Sequence, residues 1–368
     1  MTVYICVEMI LLVLLFKRKK YRIEYGLVSI GLALLSALRA ESVGTDVANY
    51  ILEYNWHGSQ SWKAAFANSE YSFSVYCKLL NTLGLKVRGF LVVTAILFAV
   101  LLAVAIEVNH CDRILTLSLY YFTGLYIQSF CIIRQSLAVA IALIAYGSLE
   151  KSYSFQTRPD GTCRGTFQRF PVGFVIGMII AAGFHPTVII LMALPIMMIF
   201  YGRKKCKKPH VFLRDGILCM LAALVVLPGL YPVILRHSNA KYQTLYGESY
   251  VTGLFGNWKS GLLLVVLYLI FYLAYYNNWR RLTEKENVIV GSAVMLALAC
   301  SSLSIINSTL GRINLFFEGL MILMLDKLLR QRYSRVKSVN FYIVLVFAAY
   351  FVMYLMRDAI VVVPYKLM

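Results

Sequence analysis

Arg134, His185 and Arg312 stand in apolar surroundings where almost nothing else is ionisable. From Ile114 to Leu149 the chain runs 36 residues with Arg134 as its only charged side chain, and from Phe170 to Gly202 it runs 33 with His185 as the only group titrating near neutral pH. A guanidinium is a planar, permanently charged fork for carboxylate or phosphate oxygens, and an imidazole can hold or release a proton near pH 7. An ionisable group kept inside an apolar stretch points to function by default, because the bilayer interior disfavours charge.

The elements that must position these groups follow from length. About 20 residues cross a bilayer, so each stretch reads as two spans folded back on each other with the basic residue near the tip. Over the whole chain of 368 residues, 60% are hydrophobic and the mean hydropathy is +0.71, which excludes an ordinary soluble domain. Charge-poor windows give about twelve spans, near 2–16, 23–38, 89–106, 114–131, 134–149, 171–185, 186–202, 215–235, 260–279, 288–306, 313–329 and 339–356. The expected fold class is therefore all-α, a polytopic transmembrane helical bundle forming a single integral domain over 1–368. Glu8 lies inside the first span, which has no basic leader and no small-residue cleavage site and so reads as a retained anchor.

Segments 17–22, 113, 151–169, 203–214, 280–285 and 327–337 hold 24 of the 36 lysines and arginines. The positive-inside rule puts these on the cytoplasmic side and both termini outside. Arg39, Arg134, His185 and Arg312 then fall on the sparsely charged outer side. The net charge of +19 follows from this bias, and nucleic acid is not an expected partner.

Two outer loops are long enough to hold a site, 39–88 and 236–259. In the first, the stretch from Ser72 to Leu85 places Phe73, Tyr76, Leu79, Leu80 and Leu83 at helical spacing, is too short and polar to span, and reads as an interfacial or re-entrant helix. That loop opens with Arg39, Gly44, Asp46 and Tyr50, where Gly44 permits a tight turn and Asp46 can cap a helix. Arg39 alternatively is an arginine reaching the head groups. For Arg134 the plainer reading is a guanidinium bonded to backbone carbonyls at a hairpin tip, with Ala138, Ala140, Ala142 and Ala145 letting helices approach behind it. Pro186 disfavours helix at His185, which can act as base, as phosphate donor or simply as a helix terminator. Arg312 begins a helix, where the dipole favours anions, so either an anionic ligand or a pair with Glu318 or Asp46 should accompany it.

The sequence carries no P-loop, no GxGxxG, no HExxH and no outer Asp-x-Asp pair, so no nucleotide or metal cofactor is called for. Its eight cysteines, Cys6, Cys77, Cys111, Cys131, Cys163, Cys206, Cys219 and Cys300, have no paired spacing and read as packing residues. The inner segment from Arg158 to Arg164 is turn-forming. Among outer aromatics, Tyr50, Tyr54, Trp56, Tyr242, Tyr246 and Trp258 can stack on sugars, although most read as an interfacial belt.

Taken in order, four segments resemble the EpsG family of bacterial exopolysaccharide polymerases, which are Wzy-like membrane proteins. They are Arg39 with Gly44-Thr45-Asp46 and Tyr50, then Ile133-Arg134-Gln135, then Gly183-Phe184-His185, then Arg312 to Phe316, with Pro364-Tyr365 at the end. The departure is a basic, cysteine-containing insert between Glu150 and Phe170. The resemblance implies a multi-pass protein of the bacterial cytoplasmic membrane. It would transfer a growing glycan from a polyprenyl pyrophosphate carrier to a sugar hydroxyl of a new lipid-linked repeat on the outer face.

Under that implication Arg39, Arg134 and Arg312 bind the pyrophosphate, with Gln135 and Tyr50 in the substrate site, and His185 or Asp46 serves as base. Implied partners are the lipid-linked oligosaccharide, membrane lipids, a flippase and a chain-length regulator. A glycan ligase shares the donor and differs in acceptor. A flippase would need polar groups through the midplane and pseudo-symmetric halves, and neither is visible.

The charge asymmetry predicts that reporter fusions at Lys205 and Arg335 read cytoplasm and one near Ser249 reads exterior. A cytoplasmic signal at Ser249 would move the proposed outer residues to the wrong face.

Overall fold

The computed structural model describes residues 1–16, 22–157, 163–203, 208–236, 258–306, 308–330, 337–357 and 362–367. Most of the second outer loop, with Tyr242, Tyr246 and Ser249, lies outside the described residues, as do Lys17 to Lys20, Arg158, Lys205 and Arg335. Helices dominate. In chain order they are α1 (Thr2–Phe16), α2 (Arg22–Ala37), α3 (Val47–Ser59), α4 (Trp62–Phe66), α5 (Tyr71–Thr82), α6 (Val87–Val108), α7 (Arg113–Phe122), α8 (Leu125–Gln128), α9 (Ile133–Ser152), α10 (Val172–Phe184), α11 (Ala193–Gly202), α12 (Pro209–Arg236), α13 (Trp258–Asn278), α14 (Glu284–Ile306), α15 (Ser308–Gly311), α16 (Asn314–Arg330) and α17 (Lys337–Arg357).

Four stretches, Val87–Val108, Pro209–Leu230, Gly261–Arg281 and Glu284–Ile306, are long and apolar enough to cross a membrane, and shorter apolar helices accompany them. The protein is thus a helical membrane protein. One small sheet interrupts the all-α expectation: β1 (Tyr153–Thr157) pairs antiparallel with β2 (Cys163–Phe167). Of the segment expected to form a turn, residues 158–162 lie outside the described residues and Cys163 and Arg164 belong to β2. Tyr153 is buried and donates from its hydroxyl to the Met198 carbonyl at 2.8 Å, which anchors the hairpin to α11.

The chain forms two compact units. In the first, the window 114–131 departs from the single span expected. Helix α7 has 10 residues and stops before Gly124, whose φ of +81° ends helical geometry, and α8 adds only 4. Ten residues of helix rise about 15 Å, half the thickness of the hydrocarbon core. Nearly every side chain from Ile114 to Ile133 is buried in protein, so the broken backbone is shielded from lipid, as a discontinuous segment must be. A side chain at Gly124 would also meet the Tyr354 ring at 3.0 Å.

Small residues set the helix spacing behind Arg134, as their placement suggested. Ala138, Ala140, Ala142 and Ala145 are all buried, and a Cβ on Gly177 of α10 would come within 2.5 Å of the Ala145 Cβ. The break in the second apolar stretch falls where proline chemistry puts it. Helix α10 ends at Phe184, His185 is extended at φ −152° and ψ 113°, and a 3-10 helix runs from Pro186 to Met192.

The second unit is organised by α14, which is buried along most of its length and packs against α11, α12 and α13. Glycines bring these helices close: a Cβ on Gly216 would lie 3.2 Å from Leu298, and one on Gly261 would lie 2.5 Å from Ile305. At its end, buried Asn314 donates to the Cys300 carbonyl at 3.1 Å, Ser304 Oγ at 2.8 Å and the Gly311 carbonyl at 3.1 Å, and accepts from Tyr268 at 3.1 Å. One amide therefore fixes the turn carrying Arg312. Replacing Asn314 by Ala should lower stability by roughly 1–3 kcal/mol, the usual consequence of stranding buried polar partners. Thermal unfolding in detergent would measure it, and Asn314→Ala is expected to melt below wild type.

Candidate functional site

The first outer loop folds into three helices, α3, α4 and α5, that pack onto the first unit. Its entry is fixed by Gly44, which has a φ of +111°, a value side chains rarely adopt. A Cβ there would lie 3.0 Å from both Cys131 Sγ and the Phe130 carbonyl oxygen. The turn from Gly44 to Asp46 thus lies against the irregular segment that leads into α9.

Arg134, in the first turn of α9, is met by this loop from two sides. One guanidinium nitrogen, NH1, lies 3.4 Å from Glu53 Oε2 and forms a closer ion pair with Glu70 Oε2. The guanidinium carbon sits 5.4 Å from the ring centres of both Tyr50 and Phe73. A cation at a helix N-terminus opposes the helix dipole, and two carboxylates at that end relieve the conflict. Carboxylates, rather than backbone carbonyls, are therefore its partners.

Tyr50 is buried, and burial pushes its phenol up to about 12, with Arg134 pulling it down and Asp46 and Glu53 pushing it further up. Asp46 is accordingly within electrostatic reach of the same cluster. It occupies the N-cap position of α3, but its side chain makes no capping hydrogen bond, against the expectation, because its own backbone is already helical at φ −94° and ψ −2°. The structure so brings together Asp46, Tyr50 and Arg134 from the sequence prediction and adds Glu53 and Glu70. Gln135 follows Arg134 on α9 and is buried.

The aromatic and apolar residues of the loop sort differently from the interfacial reading. Phe73, Ser74, Cys77 and Leu80 form the buried face of α5 against protein, while Leu79 and Leu83 are exposed. Tyr54 does not belong to a surface belt: it is fully buried, stacks on Phe90 at 4.6 Å and donates to the Leu85 carbonyl. Trp56 is 54% exposed and lies edge-on to His57 at 4.7 Å. His57 in turn is buried and shares a 2.8 Å hydrogen bond with Ser74, tying α3 to α5.

His185 reaches this region through α5. The Tyr71 hydroxyl donates to the Ile179 carbonyl at 2.7 Å and Ser72 Oγ to the Ile180 carbonyl at 3.0 Å, so the residues next to Glu70 satisfy the last turn of α10. A Cβ on Gly183 would fall 2.2 Å from Ser72 Oγ, which explains the glycine two residues before His185. His185 itself is half-buried, with Nδ1 2.9 Å from Thr187 Oγ1 and 3.4 Å from the Thr187 amide. An amide N–H can only donate, so that contact places a lone pair on Nδ1 and the proton of the neutral ring on Nε2. In that tautomer Nε2 presents a donor.

Arg39 sits apart from the ion cluster and does not reach for head groups. It is 2% exposed and donates to the Ser36 carbonyl at 2.5 Å, Ser36 Oγ at 3.0 Å and the Phe130 carbonyl at 3.2 Å. Arg88 completes the arrangement by donating to the Arg39 carbonyl at 2.6 Å and to the Ala37 carbonyl. Two arginines thereby cap the C-terminus of α2, where cations are favoured. The C-terminal segment joins them: Ala40 N–H donates to the Lys366 carbonyl at 2.8 Å and the Tyr365 hydroxyl to the Leu35 carbonyl at 2.8 Å.

Arg312 belongs to the second unit, exposed in the turn between α15 and α16. Glu318 on α16 is buried. Among the described residues, no group of three His, Cys, Asp or Glu side chains has the arrangement of a metal site.

The family model for EpsG matches residues 22–157 and 164–367, and this chain belongs to the EpsG family. The unmatched residues are 158–163, so the departure expected across Glu150 to Phe170 narrows to that short segment. No curated protein and no solved structure matches the chain.

The geometry ranks the two carboxylates. Glu70→Gln removes the closer, better buried partner of Arg134 and should destabilise by roughly 2–3 kcal/mol, somewhat below the ~3–5 for breaking a fully buried pair. Glu53→Gln, at a longer and more open contact, should stay under about 1 kcal/mol. Melting curves of the two variants in one detergent test the order.

Proposed function

We propose that this EpsG-family protein is a glycosyltransferase that polymerises lipid-linked repeat units on the outer face of the bacterial cytoplasmic membrane. The bond between the anomeric carbon of the growing glycan and its polyprenyl pyrophosphate breaks, and a glycosidic bond forms to a sugar hydroxyl of a new lipid-linked repeat. The hydroxyl proton passes to a base, and polyprenyl pyrophosphate leaves with the bonding electrons. Activation resides in the donor, so the reaction needs no cofactor. Proposed protein partners are a flippase that delivers the repeats and a chain-length regulator.

The observation that carries this reading is the charged cluster of Glu53, Glu70 and Arg134, held with Tyr50 at the start of α9 in a protein of this family. Carboxylates are general bases for a hydroxyl when one of them is left accessible. Both carboxylates pair with Arg134, Glu70 the more closely, and the Glu53 side chain keeps 22% exposure against 13% for Glu70. We assign the base to Glu53 on that difference. Asp46, near Tyr50, helps to orient the cluster. His185, donating from Nε2, is assigned to an anionic oxygen of substrate rather than to proton abstraction. Arg39 is given a structural role because both its terminal guanidinium nitrogens donate to carbonyls and a hydroxyl that end α2 and meet Phe130. Arg312, exposed in its own unit, remains the candidate for donor phosphates.

The proposed topology keeps both termini outside and about twelve crossings, one of them the discontinuous α7–α8 segment.

Purified protein incubated with lipid-linked repeat units should give a ladder of longer products, with or without EDTA. A single addition to a foreign acceptor instead would mark a ligase. Glu53→Gln is expected to slow elongation by about 100-fold or more, in the range of general base catalysis. Arg312→Lys should lose most activity because an ammonium lacks the two-toothed grip on phosphate. His185→Gln should weaken donor binding as well as turnover. Wild-type rates in Glu53→Gln would return the base to His185 or Asp46.

A further inference from the structure

We propose that a small cavity in the first unit is a binding site for a spherical monovalent anion, chloride or another halide, held by Arg39 between α2, α6 and α9. The cavity measures about 10 Å³, room for one particle of roughly water size. Ser36, Arg39, Thr94, Ser129 and Ser136 line it, together with apolar side chains such as Phe98.

Charge calls for an anion there. Arg39 is 2% exposed and all its contacts are with neutral groups: the Ser36 and Phe130 carbonyls, Ser36 Oγ and the Phe130 ring, 5.0 Å away. Arg88 donates to the Arg39 and Ala37 carbonyls and so brings a second positive charge alongside. Among the described residues, no carboxylate pairs with either arginine, in contrast to Arg134. Helix dipoles do not settle the balance, because the cavity touches the negative end of α2 through Ser36 and the positive start of α9 through Ser136. A buried charge with no counter-charge is strongly destabilising, and a bound anion relieves it.

Donors without acceptors gather at the same place. Arg39 Nε and the Tyr126 hydroxyl are buried and have no hydrogen-bond partner, and Tyr126 lies within electrostatic reach of Arg39. Ser36 Oγ accepts from Arg39 at 3.0 Å and keeps its own proton for a ligand, and the Ser136 side chain makes no hydrogen bond among the described residues. Thr94 and Ser129 donate to the Phe90 and Tyr126 carbonyls, each at 2.6 Å, and so shape the wall instead of gripping the ion. A water molecule accepts two hydrogen bonds and brings no charge, whereas a halide accepts from every side and cancels one cation. Phosphate and pyrophosphate are too large for the space. Once bound, the anion ties three helices together and, through the Ala40 bond to the Lys366 carbonyl beside Arg39, steadies the C-terminal segment.

The test uses full-length protein in detergent, freed of halide by exchange into sodium gluconate and titrated with sodium chloride, bromide, sulfate or phosphate at constant ionic strength. Chloride and bromide should raise the melting temperature saturably, by about 3 °C or more, and sulfate and phosphate should not. Chlorine NMR adds a direct readout: the chloride line should broaden with protein and sharpen again when bromide displaces it. Ser136→Val fills the cavity and Arg39→Gln removes the charge, and both should lose the halide response and the broadening. If Arg39→Gln does not fold, Ser136→Val decides alone. A melting temperature indifferent to halide means that the cavity takes only water and overturns the proposal. An unbroadened chloride line, an equal effect of sulfate, which marks surface screening, or a halide response that survives in Ser136→Val overturns it as well.

Discussion

The ion cluster at Arg134 is the interaction on which the outer part of the first unit depends. A guanidinium at the start of α9 would face an unfavourable helix dipole and an apolar surround, so it must recruit anions. Glu53 comes from α3 and Glu70 from the residue before α5, so two helices of the loop are bound to one side chain. Once Glu70 is held there, Tyr71 and Ser72 fall against the carbonyls that end α10, and the position of His185 follows. Phe73 and Tyr50 wrap the cation with ring faces, which compensates further for its removal from water.

Arg39 shows how differently a second buried arginine can be used. Its partners are mainly carbonyls, and it acts with Arg88 to finish α2 and to receive the C-terminal segment. Helix ends expose carbonyls that must be satisfied, and inside a membrane protein few water molecules are available for it. Burial lowers the Arg39 guanidinium to about 10, which leaves it a cation at neutral pH. The same residue type therefore terminates one helix and begins another, with carbonyl dipoles in the first case and full carboxylates in the second.

Arg134, Asp46, Tyr50 and the break at His185 were legible in the sequence because each contrasts with its surroundings: a charge in an apolar run, a glycine turn before a helix, a proline after a helix. Glu53 and Glu70 were not, since they lie in a polar loop with other acids and lysines, and no spacing rule says which of them folds back onto a residue more than sixty positions away. The discontinuity at Gly124 was hidden for the opposite reason. Hydropathy sees only an uncharged, mostly apolar run from Ile114 to Cys131, while the backbone geometry is set by one glycine and by tertiary contact with Tyr354. Tyr54 was placed at the surface from its type, yet a stacking partner and one carbonyl were enough to bury it.

That discontinuity also bears on why the charged cluster sits where it does. A continuous helix satisfies its own backbone and leaves side chains to face outward, so it offers little to a polar ligand at bilayer depth. Breaking the helix before Arg134 frees backbone groups, of which the Phe130 carbonyl is taken by Arg39 and closely approached by Gly44. The freed segment is thus where the outer loop gains a seat on the bundle. The loop that takes that seat brings Glu53 and Glu70, and the cation that opens α9 in turn needs them. Loss of the helix at Gly124 and retention of charge at Arg134 are on this view a single adaptation, since neither would be stable in a bilayer without the loop that the other holds in place.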